Sequence, residues 1–210
     1  MKLGITQRVE TVSSHNEKRD CLDQNWFLFF EKIGINVITI PNSLNDPIAY
    51  INKNDIKGIV LSGGNDISIL PHASNPAQER DNTENLLLMH AQKEQLPVIG
   101  VCRGLQVINL FFKGEVMRSE GHAGTSHEVY SIMDRSKFSD YKIVNSYHNY
   151  VIPKNKLGIS LKPTLISNDS YIEAFQHKNL PWLGIMWHTE REHPFKVNDI
   201  NLFKNHFSNK

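Results

Sequence analysis

Two cysteines stand in the 210 residues, and one of them, Cys102, lies in the run VIGVCRGLQVINLFF (98–112) with Gly100 two residues before it and Gly104 two after. A sulfur nucleophile needs a bend sharp enough to present it. The G-x-C-x-G spacing has the logic of a nucleophile elbow, in which glycines keep side chains from colliding with the neighbouring strand and helix. The helix that begins at once aims its N-terminus at the sulfur, where unpaired N–H groups and the helix dipole favour thiolate and can hold an oxyanion. The same residues also describe a small cysteine buried in a tight turn. Cys21 falls in a helical pattern without such a setting and reads as structural.

A thiol nucleophile needs a base, and the base a partner that orients it. WLGIMWHTE (182–190) offers both. If the apolar run is a strand, His188 lies just past its end. Glu190 follows two residues on, so both side chains point to one side of an extended segment. With 10 histidines in the chain, an H-x-E pair alone is as readily structural. His188, Glu190 and His193 also form a set of metal-ligand types, but no CxxC or HExxH accompanies them. A third piece, LSGGNDIS (61–68), follows another apolar run. There Gly63 and Gly64 allow a backbone that turns N–H groups toward a ligand, although a glycine pair is often only a turn. Gln106 falls one helical turn after Cys102, on the same face.

These groups require elements to carry them. KLGIT (2–6), INVITI (35–40), GIVLS (58–62) and PVIGV (97–101) read as strands. They alternate with helical patterns: Arg19 to Ile33 stopped by Gly34, a short helix capped by Asp46 with Pro47 at its first position, a helix whose start is marked by Asp81 and Glu84, and residues 103–113. Near-continuous apolar strands alternating with helices predict an α/β fold, with a mostly parallel central sheet covered on both faces. In such sheets reactive groups gather beyond the carboxyl ends of the strands, where Cys102 falls. After Gly114 the runs EVYSIM, YKIVNS, LISN, YIEAFQ and WLGIMW are β-like, and DINLFKNHF reads as a last helix. No internal repeat or long linker divides the chain, so one domain over residues 1–210 is expected.

Composition narrows the partners. There are 23 basic and 22 acidic side chains, a formal charge of +1, and no long basic run, which argues against nucleic acid or an anionic membrane as partner. Hydrophobic content of 40% with 21% charged residues is ordinary for a globular protein. No stretch has the length of a spanning helix or a secretory h-region. Two cysteines make a poor disulfide framework, so a reducing, cytoplasmic location is expected.

Taken in order, LSGGNDISILP, GVCRGLQVIN, VNSYHN and GIMWHTE resemble the oxyanion loop, nucleophile motif, substrate wall and His–Glu motif of the class I glutamine amidotransferase-like family, in its γ-glutamyl hydrolase branch. The resemblance covers essentially the whole chain. It implies a three-layer, flavodoxin-like fold and hydrolysis of a γ-glutamyl amide-type bond through a thioester. By it, Cys102 is the nucleophile, His188 the base and acid, and Glu190 the group orienting the histidine. It further implies an oxyanion hole at the N–H groups of Gly64 and Arg103, beside Gly63. Gln106 would hold the glutamyl moiety, and His148, Asn149 and Tyr150 would receive its amino-acid end. Glu173 matches a glutamate near the site, of no derived role. No cofactor or metal is required.

Two departures stand out: His188-Thr189-Glu190 replaces the usual His-Pro-Glu, and His148-Asn149-Tyr150 replaces His-His-Gln. The first keeps both chemical groups, while the second bears on the substrate. KLGITQRVE and NEKRDCLDQNW narrow the likeness to the small hydrolases of γ-glutamyl-CDP-amidate, which lead to cytidine diphosphoramidate for capsular polysaccharide. On that reading Arg8 or Arg19, near Asp20 at the start of the first helix, pairs with the diphosphate; a solvated charge cluster is the plain alternative. Hydrolysis of γ-glutamyl-γ-aminobutyrate and a glutaminase subunit serving a synthase remain open. GHAGTSHE (121–128) reads as a flap or insert carrying His122 and His127 as loop histidines. The likeness admits a homodimer that no feature of the sequence compels.

Overall fold

The computed structural model describes residues 1–132 and 137–208; Met133, the end of the EVYSIM run, lies outside them. The first half runs β1 (Lys2–Thr6), β2 (Arg8–Val12), β3 (Glu17–Cys21), α1 (Asn25–Ile33), β4 (Asn36–Ile40), α2 (Pro47–Lys53), β5 (Ile56–Leu61), α3 (Gln78–Glu94), β6 (Val98–Val101) and α4 (Arg103–Phe111). The second half runs β7 (Met117–Arg118), β8 (Ala123–Ser131), β9 (Ile143–Tyr147), β10 (Tyr150–Val151), β11 (Leu161–Ser167), β12 (Ile172–His177), β13 (Trp182–Ile185) and α5 (Val197–Ser208).

One sheet of nine strands, ordered β4-β1-β5-β6-β13-β12-β11-β8-β9, organises the chain. From β4 to β13 every ladder is parallel; from β13 outward to β9 every ladder is antiparallel. The parallel strands β5, β6 and β13 are buried almost throughout, which is why they read as continuous apolar runs. Their order has a chemical consequence. The late strand β13 returns beside β6, with Ile185 opposite Val101, so the segments after β5, β6 and β13 leave the sheet side by side.

Helices cover the sheet, as expected of an α/β fold: α1 packs with α5, and α3 with α2 and α4. The stripe Trp26, Phe29, Phe30 and Ile33 on α1 has helical spacing and is buried, with Phe29 edge-on to Phe203 of α5 at 5.0 Å. Asp46 caps α2 as read, accepting from the N–H groups of Ile48 and Ala49 at 3.0 and 2.8 Å.

Two expected element boundaries are corrected. Arg19, Asp20 and Cys21 are not in α1. They end β3, which pairs antiparallel to β2 with Glu10 opposite Arg19. The charged run EKRDC carries no apolar face that a helix could bury, and the buried stripe begins only at Trp26. Likewise Asp81 and Glu84 do not cap α3, which starts at Gln78. Both carboxylates are drawn instead into contacts with buried arginines.

Candidate active site

Cys102 sits at the bend between β6 and α4 with φ 51° and ψ −105°, a backbone state that costs a non-glycine residue on the order of 1–3 kcal/mol. Its N–H donates to Ile185 O at 2.8 Å, which ties the bend to β13. The flanking glycines answer to space. A Cβ on Gly104 would lie 2.2 Å from Leu61 O, and one on Gly100 would lie 2.5 Å from the backbone of Gly104. Without side chains there, α4 lies directly on the end of β5. The N–H of Arg103, at the first position of α4, is among those a helix leaves without an intrahelical partner.

His188 follows β13 and is 2% exposed. Its Nδ1 lies 2.6 Å from Glu190 Oε1, which leaves Nε2 as the working nitrogen. Burial alone would favour the neutral ring. The negative charges of Cys102 and Glu190, with hydrogen bonding to both, outweigh it and raise the pKa to about 9. At neutral pH the ring is therefore held as imidazolium against the sulfur. Asn145 on β9 grips the same residue through its backbone: His188 N donates to Asn145 Oδ1 at 2.8 Å, and Asn145 Nδ2 donates to His188 O at 2.8 Å. The ring also packs on Gly63, whose Cβ would stand 2.6 Å from His188 Cε1.

The loop after β5 is set by an arginine that the sequence reading overlooked. Arg80 on α3 is fully buried and donates to Ser62 O at 2.7 Å, Gly63 O at 3.0 Å and Gly64 O at 2.6 Å. In a trans peptide the carbonyl and the next N–H point opposite ways. Aiming the Gly63 carbonyl at Arg80 therefore turns the Gly64 N–H to the other side, away from Arg80. Glu84 accepts from Arg80 at 2.9 Å and from Thr6 Oγ1 at 2.8 Å, and also pairs with Arg103, which Asp81 holds as well. Elbow and loop thus share one buried carboxylate. Burial opposes the charge of Glu84, but the guanidinium groups of Arg103 and Arg80 outweigh it and hold its pKa below the usual range. Burial and neighbouring Arg103 lower Arg80 only to about 10, so it stays charged at neutral pH. Two charged residues four apart on a helix ordinarily mark a solvated face, which is why the sequence alone did not single out Arg80.

The structure brings most of the remaining candidates to the same place. Gln106 is buried and donates to Tyr150 O at 3.1 Å, so α4 touches the wall segment. Tyr150 is buried with its hydroxyl on Pro71 O at 2.9 Å, while Asn149 is exposed. His148 Nε2 lies 4.0 Å from Glu173 Oε1, yet the two do not form an ion pair. Burial, aided by His122 and His127, lowers His148 to about 3, and burial pushes Glu173 well above the usual carboxylate range. Glu173 also feels the charge of Cys102. His127 lies on β8 rather than in a loop, and buried His122 precedes that strand.

Arg8 lines a cleft of about 290 Å³ with Gly63, Gly64, His188, Glu190 and Arg191. Arg19 does not line it; it is exposed and held by Glu17 at 2.9 Å. Arg191, unnoticed in the sequence, lines both this cleft and a neighbouring recess with Asn145 and Tyr147, and its guanidinium stands 4.2 Å from the Tyr147 ring centroid. A thiol at a strained bend, an imidazolium backed by a carboxylate and a fixed loop N–H are the parts that acyl transfer requires.

The family model described as Peptidase C26 matches residues 3–190. A curated relative, gamma-glutamyl-CDP-amidate hydrolase of Campylobacter jejuni subsp. jejuni serotype O:2, is 38% identical over 210 residues, covering 99% of this chain and 98% of its own. A glutamine-hydrolyzing GMP synthase component of Pyrococcus furiosus is 28% identical over 169 residues, covering 80% of this chain and 83% of its own. Among solved structures, a glutamine amidotransferase from Thermotoga maritima superposes with a TM-score of 0.66 at 18% identity, over 99% of this chain and 84% of that one.

Proposed function

The chain belongs to the Peptidase C26 family, and on that premise we propose that it hydrolyses a γ-glutamyl amide-type bond through a thioester on Cys102, with γ-glutamyl-CDP-amidate as substrate. The sulfur attacks the γ-carbonyl carbon, and the resulting oxyanion is held by the N–H groups of Gly64 and Arg103. Loss of one such donor typically costs a hundredfold or more in rate. The His188 imidazolium gives its proton to the departing nitrogen, the C–N bond breaks, and a γ-glutamyl thioester remains. Neutral His188 then takes a proton from water, which attacks the thioester and frees L-glutamate with return of the thiolate.

The observation that carries this reading is the placement of His188, hydrogen-bonded to Glu190 at 2.6 Å and raised to about 9 by Glu190 and Cys102 together. For the leaving group, Arg8 and Arg191 border the cleft beside His188 and are the residues proposed to meet the diphosphate. The product would be cytidine diphosphoramidate, formed in the cytoplasm for capsular polysaccharide modification.

Glutamate release is measured from γ-glutamyl-CDP-amidate, γ-glutamyl-γ-aminobutyrate and glutamine, each with wild type and Cys102→Ala. Preference for the nucleotide compound, abolished in Cys102→Ala, is expected. Preference for a small amine keeps the chemistry and removes the nucleotide. Glutamine turnover that needs a synthase would favour the glutaminase reading, for which the likeness to the GMP synthase component speaks. Release that survives Cys102→Ala overturns the mechanism.

A further inference from the structure

Beside the candidate active site, three histidines from two segments converge. His122 precedes β8, His127 lies on it, and His148 follows β9; one ring nitrogen of each lies within 4.8 Å of the other two. The antiparallel register that sets Ala123 opposite Tyr147 brings the segments together. We propose that His122, His127 and His148 form a binding site for a divalent transition metal, tying the β8 segment to the wall segment next to Cys102.

Distance and partners carry the inference. His122 Nδ1 and His127 Nε2 are 3.1 Å apart. Two imidazole nitrogens on one tetrahedral zinc, each at about 2.0–2.1 Å, stand roughly 3.3 Å from one another. The far nitrogen of His122, Nε2, lies 3.2 Å from Asp169 Oδ2, the carboxylate–histidine arrangement that orients metal-binding imidazoles. His148 is 4% exposed, and among the described residues neither of its ring nitrogens makes a hydrogen bond of good geometry, nor does either carboxyl oxygen of Glu173, whose Oε1 lies 4.0 Å from His148 Nε2. Leaving such groups unpaired costs stability, and a metal bond to His148 offsets it.

The chemistry also selects the ligand. Imidazole nitrogens backed by the Asp169 carboxylate suit a metal cation. An all-nitrogen donor set fits zinc, cobalt, nickel or copper and not magnesium or calcium, which take oxygen. Three protein ligands leave a fourth coordination position for water or another oxygen donor. The inference does not depend on the identity of the γ-glutamyl substrate.

The test strips the purified full chain with a chelator and titrates it with cobalt(II) and zinc(II). One cobalt per chain with the intense visible absorption of a tetrahedral site is expected, displaced by zinc. His122→Ala and His127→Ala should lose that spectrum. Asp169→Asn, a change at a half-exposed position that leaves the fold intact, should weaken zinc binding about 10–100-fold. Cys102→Ala should retain the spectrum, which separates this site from binding at the catalytic thiol. No tetrahedral cobalt spectrum in wild type, or one unchanged in His127→Ala and Asp169→Asn, overturns the proposal. If His127→Ala fails to fold, the affinity of Asp169→Asn decides.

Discussion

Gly104→Ala should disable the elbow by displacement, without touching any group that does chemistry. The added Cβ would lie 2.2 Å from Leu61 O and 2.7 Å from Leu61 Cβ, whereas ordinary contact begins at 3.4 Å, a shortfall of about 1.2 Å. Neither neighbour is the free end of a flexible side chain, because Leu61 is the last residue of buried β5. The start of α4 must therefore move off the strand, carrying Cys102 and the Arg103 N–H away from the Gly64 loop. A misplacement of about 1 Å in such a site costs on the order of a hundredfold in rate. Forcing extra volume into a packed core costs about 1–3 kcal/mol, and each kcal/mol lowers the melting temperature by roughly 2–4 °C in a chain of this size.

The assay pairs kcat/KM for glutamate release with the rate of iodoacetamide reaction at Cys102, which needs no substrate, and with thermal melting. Gly34→Ala is the control. Gly34 ends α1 at φ 73° with nothing within 4 Å of an added Cβ, so alanine there should cost about 1–2 kcal/mol through its dihedral angle alone and leave kcat/KM unchanged. Wild-type turnover, alkylation and melting in Gly104→Ala would refute the steric argument.

Further outcomes follow from the same geometry. Cys102→Gly and Cys102→Ala should both lack turnover, and the glycine variant should be the more stable of the two by about 1 kcal/mol, since φ 51° strains alanine and not glycine; equal denaturant midpoints would contradict this. The proton donor His188 is charged below its raised pKa, so kcat/KM should fall as pH rises through about 9. Glu190→Gln removes one of the charges holding that value up and should move this basic limb to lower pH; a limb that stays near 9 would remove Glu190 from the role. Glu84→Gln leaves Arg80 and Arg103 buried with less counter-charge and should destabilise the chain by about 3–5 kcal/mol in urea unfolding. A loss below about 1 kcal/mol would mean that the network is not holding elbow and loop.

Much of the site could be read along the chain because its chemistry is local there. Gly100-Val101-Cys102-Arg103-Gly104 encodes a bend by residue size, His188 and Glu190 sit two apart on an extended segment, and buried parallel strands leave unbroken apolar runs. What the sequence by itself determined were these local units and their order. Their assembly was decided in three dimensions: β13 pairs with β6 across some eighty intervening residues and delivers His188 to the thiol. The same holds for Arg80, Glu84 and Asn145, whose charged or amide side chains resemble ordinary surface groups until burial removes water. Out of water each finds partners: Arg80 the carbonyls of Ser62, Gly63 and Gly64, Asn145 the backbone of His188, and Glu84 the side chains of Thr6, Arg80 and Arg103. Arg19 went the other way. A charged run with no apolar stripe became a hairpin edge rather than a helix, because nothing in it could be buried against the sheet.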